Sequence, residues 1–159
     1  MDPVDLAQAL IRCPSVTPAD EGAMDVLQSA LEELGFTCHR LPFATGNAPE
    51  VQNLYARIGD RAPNFCFAGH TDVVPVDGQD WSSDPWTVRE ADGKLFGRGV
   101  ADMKGFIALA LAFVPRFVAG RLPVHLALSY DEEVGCLGAQ ALVPELQKRG
   151  YRPAIAIVG

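Results

Sequence analysis

Three clusters of acidic and imidazole side chains stand where the sequence predicts strand ends or loops. His70 and Asp72 follow one apolar run, the acidic triplet at 131–133 follows another, and Asp102 lies in a glycine-rich stretch. Strand ends in an α/β fold bring side chains from distant parts of a sequence into one crevice. One imidazole and several carboxylates that meet in such a crevice suit a zinc ion.

The pair of His70 and Asp72 allows two interpretations. A histidine can bind a metal through one ring nitrogen while a carboxylate accepts a proton from the other, and Asp72, two residues on, has the matching strand-face position. The alternative is a histidine that is hydrogen-bonded within a turn, which an isolated His-x-Asp pattern favours. His39 and His125 lack such a setting and are interpreted as surface or strand histidines.

The other two clusters also have simpler interpretations. Asp102 precedes an apolar segment and would serve as a helix N-cap if it stood alone. The triplet Asp131-Glu132-Glu133 would be a solvated turn, but three adjacent carboxylates after an apolar strand repel each other unless a cation compensates them. Because neighbouring side chains point differently, one glutamate can bind a metal while the other acts as a general base.

The segments between these clusters alternate between helix and strand patterns. Helical spacing predicts helices over 4–11, from an N-cap at Thr17 to Gly35, over 103–117 and over 137–149. Strand patterns cover 36–43, 51–58, 65–68, 124–130 and 154–158, with a loop at 46–49 and a hairpin turn at 91–93. This alternation predicts one α/β domain with a mostly parallel central sheet.

Composition excludes several classes of function. The 159 residues are 48% hydrophobic, which is enough for one domain with a core. A net charge of −7 and scattered basic residues argue against a nucleic-acid partner. The sequence has no apolar run of the ~20 residues that a membrane span needs. Its acidic start lacks the features of a secretory signal, which predicts a cytoplasmic protein.

The sequence has four cysteines, and they are too widely spaced for a cysteine zinc or redox motif: Cys13, Cys38, Cys66 and Cys136.

The motifs at 69–75, 97–105 and 131–133, in this order, resemble the N-terminal signatures of the M20 family of di-zinc aminoacylases and peptidases. The resemblance implies a three-layer αβα sandwich, of which residues 1–159 form the N-terminal portion of the catalytic domain. The lid and dimerisation domain, through which complete family members form homodimers, lies outside these residues. The implied cofactor is a pair of zinc ions, for which cobalt can substitute.

The same resemblance assigns roles to individual residues. His70 would bind one zinc, Glu133 the other, and Asp102 would bridge both. Glu132 would be the general base, and Asp72 would orient His70. The peptide bond after Asp102 is expected to be cis. The family's remaining ligands lie beyond this sequence, so the chain alone is expected to be inactive or nearly so.

The implied reaction is hydrolysis of the N-acyl amide of a small amino acid, and two substrates compete. Residues 76–143 resemble the acetylornithine deacetylases of the family, which makes N2-acetylornithine the expected substrate and arginine biosynthesis the expected pathway. Residues 6–75 resemble the succinyl-diaminopimelate desuccinylases, which is the alternative. Two other classes stay open: a metal-binding module without turnover, and a structural α/β domain.

Overall fold

The computed structural model describes residues 1–44, 50–119 and 122–159, and the loop predicted at 46–49 lies outside them. Within these ranges the helices are α1 (Pro3–Ile11), α2 (Ala23–Glu33), α3 (Gly105–Ala119) and α4 (Leu137–Lys148). A kinked turn, Val100–Lys104, in which Asp102 and Met103 have non-helical backbone angles, precedes α3 and is called the Asp102 turn below. The strands are β1 (Thr37–Phe43), β2 (Val51–Ile58), β3 (Phe65–His70), β4 (Arg89–Ala91), β5 (Lys94–Phe96), β6 (Val124–Ser129) and β7 (Ile155–Val158).

The central sheet has five strands among the described residues, in the order β1-β2-β6-β3-β7. Strands β6, β3 and β7 run parallel to one another, whereas β2 is antiparallel to both of its neighbours. Four of the five strands therefore share one direction, and β2 is the reversed one. This agrees with the predicted mostly parallel sheet. The remaining two strands, β4 and β5, form the hairpin that the sequence predicts around Asp92 and Gly93.

Helices cover both faces of the sheet. Side chains alternate between the faces of a strand, and on β2 Leu54 joins the core formed with α1, α2 and α3, while Tyr55 packs with Leu142 and Leu146 of α4. The apolar spacing of α1 and α2 fits this arrangement, because their buried side chains face the larger core. The result is the expected three-layer αβα sandwich.

Two helix starts differ from the predictions. Helix α2 begins at Ala23, and Thr17 is not its N-cap; the Asp20 carboxylate instead accepts hydrogen bonds from the backbone N–H groups of Gly22 and Met24. Asp102 does not cap α3 either, since its backbone is extended (φ −133°, ψ 98°) and α3 begins three residues later. The bond between Asp102 and Met103 is cis, as expected.

The other predicted elements are present with shifts of one or two residues at their ends. Strand β3 runs to His70, two residues beyond the predicted end, so the histidine itself belongs to the strand. No helix within 1–44, 50–119 or 122–159 is long and apolar enough to span a membrane.

Candidate metal centre

The candidate site lies at the edge of the sheet where β3 and β6 end. These strands are parallel neighbours, and His70, the last residue of β3, stands opposite Ser129, the last residue of β6. The segment 130–138 that follows β6 carries the acidic triplet and is called the acidic loop below. The carboxyl ends of parallel strands are the usual position of binding crevices in α/β folds. The fold therefore brings two of the three predicted clusters to one place.

Both ring nitrogens of the buried His70 face acidic residues. Nε2 lies 3.0 Å from Oδ1 of Asp102 and 3.7 Å from Oε2 of Glu132. Nδ1 lies 3.0 Å from the carbonyl oxygen of Asp72 and 3.5 Å from its carboxylate Oδ1. Asp72 therefore contacts the Nδ1 side of the imidazole, while the Nε2 side faces Asp102 and Glu132.

This environment changes the acidities of the site residues. Burial lowers the pKa of His70, but the Asp72 carboxylate, together with Glu132 and Asp102, outweighs burial and raises that pKa to about 9. Burial opposes ionisation of Asp72, yet hydrogen bonds from His70 and from the backbone of the acidic loop hold its pKa below the ordinary value. For Glu133, burial and the nearby charge of Asp102 raise the pKa. The acidic residues around the His70 ring thus favour a positive charge at this position.

Asp72 also connects the end of β3 to the acidic loop. Its side chain is fully buried, and its Oδ2 accepts hydrogen bonds from the backbone N–H of Glu133 (3.0 Å) and from the hydroxyl of Thr17 (3.2 Å). One carboxylate therefore contacts the imidazole and fixes the backbone of the two glutamates. The sequence predicted the first contact and not the second.

The Asp102 turn is held by Lys104, which the sequence did not single out. Its side chain is fully buried, and Nζ donates hydrogen bonds to the carbonyl oxygens of Leu10 (3.0 Å) and Cys13 (2.7 Å) at the end of α1. The carboxyl end of a helix carries partial negative charge, which suits an ammonium group. Burial lowers the pKa of Lys104 to about 8.

The acidic loop is closed at its base by a buried asparagine. The backbone N–H of Gly138 donates to the carbonyl oxygen of Tyr130 (3.0 Å). Asn53 on β2 accepts from the backbone N–H of Tyr130 (3.0 Å) and donates to the carbonyl oxygen of Gly138 (3.2 Å). A Cβ atom at Gly138 would overlap the carbonyl oxygen of Tyr130, so only glycine fits there. Both ends of the segment that carries Glu132 and Glu133 are therefore fixed.

A cavity of about 440 Å³ opens beside these residues. His70, Asp102 and Glu132 form its polar wall, while α4 contributes the apolar side chains of Leu142 and Val143. A volume in this range is typical of small-molecule sites. Cys136, exposed at the rim, donates from its thiol to Oε1 of Glu132 at 3.4 Å.

The sequence also matches a known protein family. Residues 66–159, which contain all three clusters, match the family model described as "Peptidase family M20/M25/M40". The chain belongs to this family. The match confirms the M20 resemblance of the three motifs.

The most similar curated M20 relatives include two bacterial proteins that share a name. The "Succinyl-diaminopimelate desuccinylase" of Rhodospirillum centenum is 50% identical over 164 residues, covering 99% of this chain and 42% of the relative. The protein of the same name from a Caulobacter species is 55% identical over 163 residues, covering 100% of this chain and 41% of the relative. The chain thus spans about two fifths of the length of these relatives.

Solved structures show the same fold at lower identity. Human carnosine dipeptidase 1 superposes with a TM-score of 0.86 at 24% identity, covering 99% of this chain and 38% of that one. The M20 metallo-carboxypeptidase Sso-CP2 from Sulfolobus solfataricus gives 0.82 at 18% identity, covering 99% and 37%. These likenesses confirm the M20 catalytic-domain fold.

The donor types of these side chains match the zinc that the M20 family implies. Imidazole nitrogen and carboxylate oxygen are zinc donors. With Nδ1 of His70 directed at Asp72, Nε2 faces a region that Asp102 and Glu132 also border. The charges of Asp102 and Glu132 both act on Glu133, so a cation placed among these carboxylates would offset their repulsion.

The structure brings the predicted site residues together to different degrees. His70 contacts Asp72, Asp102 and Glu132 directly. Glu133 is anchored through its backbone and has no ion pair with His70 among the contacts of the described residues. Within those residues, no three His, Cys, Asp or Glu side chains are grouped closely enough to hold a metal ion. The metal roles of His70, Asp102 and Glu133 stay predictions.

Three residues with structural roles at the site escaped prediction: Thr17, Asn53 and Lys104. Each is a single polar residue whose partner lies far away in the sequence, so no local pattern reports the contact. Asn53 follows Gln52 in β2, so its polarity alone does not mark it as a buried residue.

Proposed function

We propose that this chain carries part of the catalytic site of a zinc-dependent hydrolase that removes the succinyl group from N-succinyl-diaminopimelate. The observation that supports the chemistry is the imidazole of His70 held between Asp72 on one side and Asp102 and Glu132 on the other. The observation that supports the substrate is the shared name of the curated relatives. Those names favour the desuccinylase, which the sequence analysis gave as the alternative. They do not support the acetylornithine deacetylase and the arginine pathway that were expected first.

His70, Asp102 and Glu133 would hold the zinc ions in this proposal. Bound zinc would polarise the acyl carbonyl and lower the pKa of the attacking water. Asp72 would keep the His70 ring oriented and its free nitrogen directed toward the metal. The loop connections through Asp72 and Asn53 would keep both glutamates in place during the reaction.

Glu132 is suited to move the proton. Its carboxylate borders the cavity, where a substrate amide can reach it, and also lies next to His70. In the proposed reaction Glu132 accepts a proton from the attacking water and then donates it to the leaving amine. The products are succinate and an amino acid with a free amine.

The partners and the location of the protein remain predictions. The expected ligand is a small N-acyl amino acid, with no nucleic-acid or membrane partner, and the complete protein is expected to form a homodimer in the cytoplasm. Gel filtration and cell fractionation test the last two points.

Parallel substrate assays test the proposed function. The protein encoded by the whole reading frame that contains these residues is purified, loaded with zinc and given N-succinyl-L,L-diaminopimelate or N2-acetyl-L-ornithine. We expect hydrolysis of the succinyl substrate, its loss on chelation and its return with zinc, at a kcat/KM at least about 100-fold above that for the acetyl substrate, or about 2.7 kcal/mol. Equal or preferred hydrolysis of acetylornithine would contradict the substrate assignment. Turnover that resists chelation would contradict the metal assignment.

A further inference from the structure

A short segment after α1 contacts all three parts of the candidate site. This segment, residues 13–17, lies between α1 and α2 and is largely irregular. It makes hydrogen bonds to the Asp102 turn, to the residues that follow His70 and to the acidic loop. These three regions come from distant parts of the sequence, so a common contact can fix their relative positions.

Its first contact is with the Asp102 turn. The carbonyl oxygen of Cys13 accepts a hydrogen bond of 2.7 Å from Nζ of Lys104, and Lys104 is two residues from Asp102. Because the Lys104 side chain is fully buried, losing this acceptor would leave an ammonium group poorly satisfied in the core. The contact therefore ties the Asp102 turn to the segment.

Its second contact is with the residues after His70. The hydroxyl of Ser15, which is fully buried, donates to the carbonyl oxygen of Thr71 (2.8 Å). The backbone N–H of Val73 donates to the carbonyl oxygen of Ser15 (3.1 Å). Two hydrogen bonds thus hold the chain on both sides of Asp72.

Its third contact is with the acidic loop. The hydroxyl of Tyr130 donates to the carbonyl oxygen of Ser15 (3.2 Å). The hydroxyl of Thr17 donates to Oδ1 of Asp131 (3.1 Å) and shares its proton with Oδ2 of Asp72 (3.2 Å). The Thr17 hydroxyl therefore joins the carboxylate that contacts His70 to the start of the acidic triplet.

We infer that the 13–17 segment is a positioning element for the metal centre, with Ser15 and Thr17 as its positioning residues. They act through the backbones and carboxylates that they bind and do not themselves touch substrate or metal. The inference rests on the proposed function for its effect on catalysis, but its structural part stands on the hydrogen bonds alone. Thr17 is the sharpest test, because one hydroxyl joins two of the three regions.

The test compares Thr17→Val, which replaces the hydroxyl with a methyl group, with Thr17→Ser, which keeps it. Thr37→Val on the exposed start of β1 is the matched control for the substitution itself. Hydrogen exchange of the Glu133 and Val73 amides is measured by NMR in the 159-residue chain. We expect Thr17→Val to speed exchange of Glu133 by about tenfold or more, while Thr17→Ser and Thr37→Val stay close to the wild type.

The same variants are then compared in the protein from the whole reading frame. Removing the hydrogen-bond partner of a metal ligand typically costs about 10–100-fold in metal affinity or activity, and for Thr17, which reaches His70 only through Asp72, the lower end of this range, about tenfold, applies. We expect Thr17→Val to lower zinc affinity, measured by calorimetry, and kcat by this factor, with KM within about twofold. Thr17→Ser should recover most of both losses. Ser15→Ala should act in the same direction, because it removes the bond to Thr71.

Each outcome decides a stated point. If the Glu133 amide exchanges at the wild-type rate in Thr17→Val, the inference is overturned. It is also overturned if Thr17→Ser speeds this exchange as much as Thr17→Val does, because that would show that the methyl group and not the hydroxyl matters. If the wild-type protein proves inactive on both acyl substrates, the proposed function fails, while the exchange data still decide the positioning role. If the wild type is active and Thr17→Val matches it in zinc affinity and kcat, the inference fails and the proposed function stands.

Discussion

At the scale of single residues, the candidate centre depends on side chains that each make two connections. Asp72 contacts the His70 imidazole and also binds the backbone of Glu133. His70 in turn lies between Asp72 and the pair of Asp102 and Glu132. Such shared contacts make the effects of substitutions non-additive, because removing one group disturbs the partners of the next.

The role proposed for Glu132 predicts a separation of turnover from metal binding. Glu132→Gln in the protein from the whole reading frame should lower kcat by at least about 100-fold, since an amide cannot accept the proton of the attacking water. Zinc content, measured by elemental analysis, should stay near that of the wild type. Glu133→Gln should lose zinc together with activity, and Glu90→Gln on the exposed hairpin is the neutral control. Zinc loss in Glu132→Gln would make Glu132 a ligand and would exchange the two roles.

A second residue-scale prediction concerns His125, which lies on the other side of β6 from the large core. It is buried, its Nδ1 is 2.7 Å from the hydroxyl of Tyr55, and burial together with the charge of Arg57 lowers its pKa below 6.5. As the pH falls, His125 therefore binds a proton near pH 6.5 in the unfolded chain, but only at a lower pH in the folded chain. The resulting stability is present above that pH and is lost as the pH falls toward the lowered folded pKa.

We therefore expect His125→Asn to flatten the dependence of unfolding free energy on pH between about 7 and about 5. Urea unfolding at several pH values measures the slopes. Tyr55→Phe keeps the imidazole and removes only the hydroxyl, so it should retain the wild-type slope despite lower stability. Identical slopes for wild type and His125→Asn would contradict this prediction.

At the scale of elements, the acidic loop is the part most sensitive to a small change. Gly138→Ala would push a methyl group against the carbonyl oxygen of Tyr130 and the side chain of Asn53. We expect a loss of about 1–3 kcal/mol in unfolding free energy, typical of overpacking. The control, Gln147→Ala on the exposed face of the same helix, should change stability by less than about 0.5 kcal/mol. A fully stable Gly138→Ala protein would show that the loop base can move.

The same scale shows what the sequence can and cannot predict. The strands and helices follow from apolar periodicity, and the ends of β3 and β6 placed His70 and the acidic loop correctly. The start of α2 was wrong because Thr17 matches the N-cap pattern, yet its hydroxyl binds Asp72 and Asp131. The Asp102 turn was also missed as an element, because no local pattern reports the bonds that Lys104 makes to Leu10 and Cys13.

At the scale of the whole molecule, the M20 fold explains why distant motifs share one edge. Parallel neighbours β3 and β6 end side by side, and the Asp102 turn enters α3 beside them. The motif order implied this fold before any geometry was known. It did not imply the connections through the 13–17 segment, since those need the packing of α1 against the Asp102 turn.

A prediction at this scale concerns the catalytic capacity of residues 1–159 by themselves. The proposed roles give each zinc two ligands from this chain, His70 with Asp102 and Asp102 with Glu133, whereas catalytic zinc typically has three protein ligands. We expect the purified 159-residue chain to show little or no hydrolysis of N-succinyl-diaminopimelate in the presence of zinc. A chain carrying Glu132→Gln controls for contaminating host enzyme. Turnover that is well above this control would contradict the prediction.

We propose that His70, Asp102 and Glu133 bind zinc where β3 and β6 end. The most direct measurement is an anomalous diffraction map, recorded at the zinc absorption edge, from crystals of the protein from the whole reading frame. We expect one zinc about 2.0–2.2 Å from His70 Nε2 and from an Asp102 oxygen, and a second at similar distances from Asp102 and Glu133. Zinc bound at other residues would contradict this proposal. A protein that hydrolyses its substrate while these three side chains bind no zinc would also contradict it.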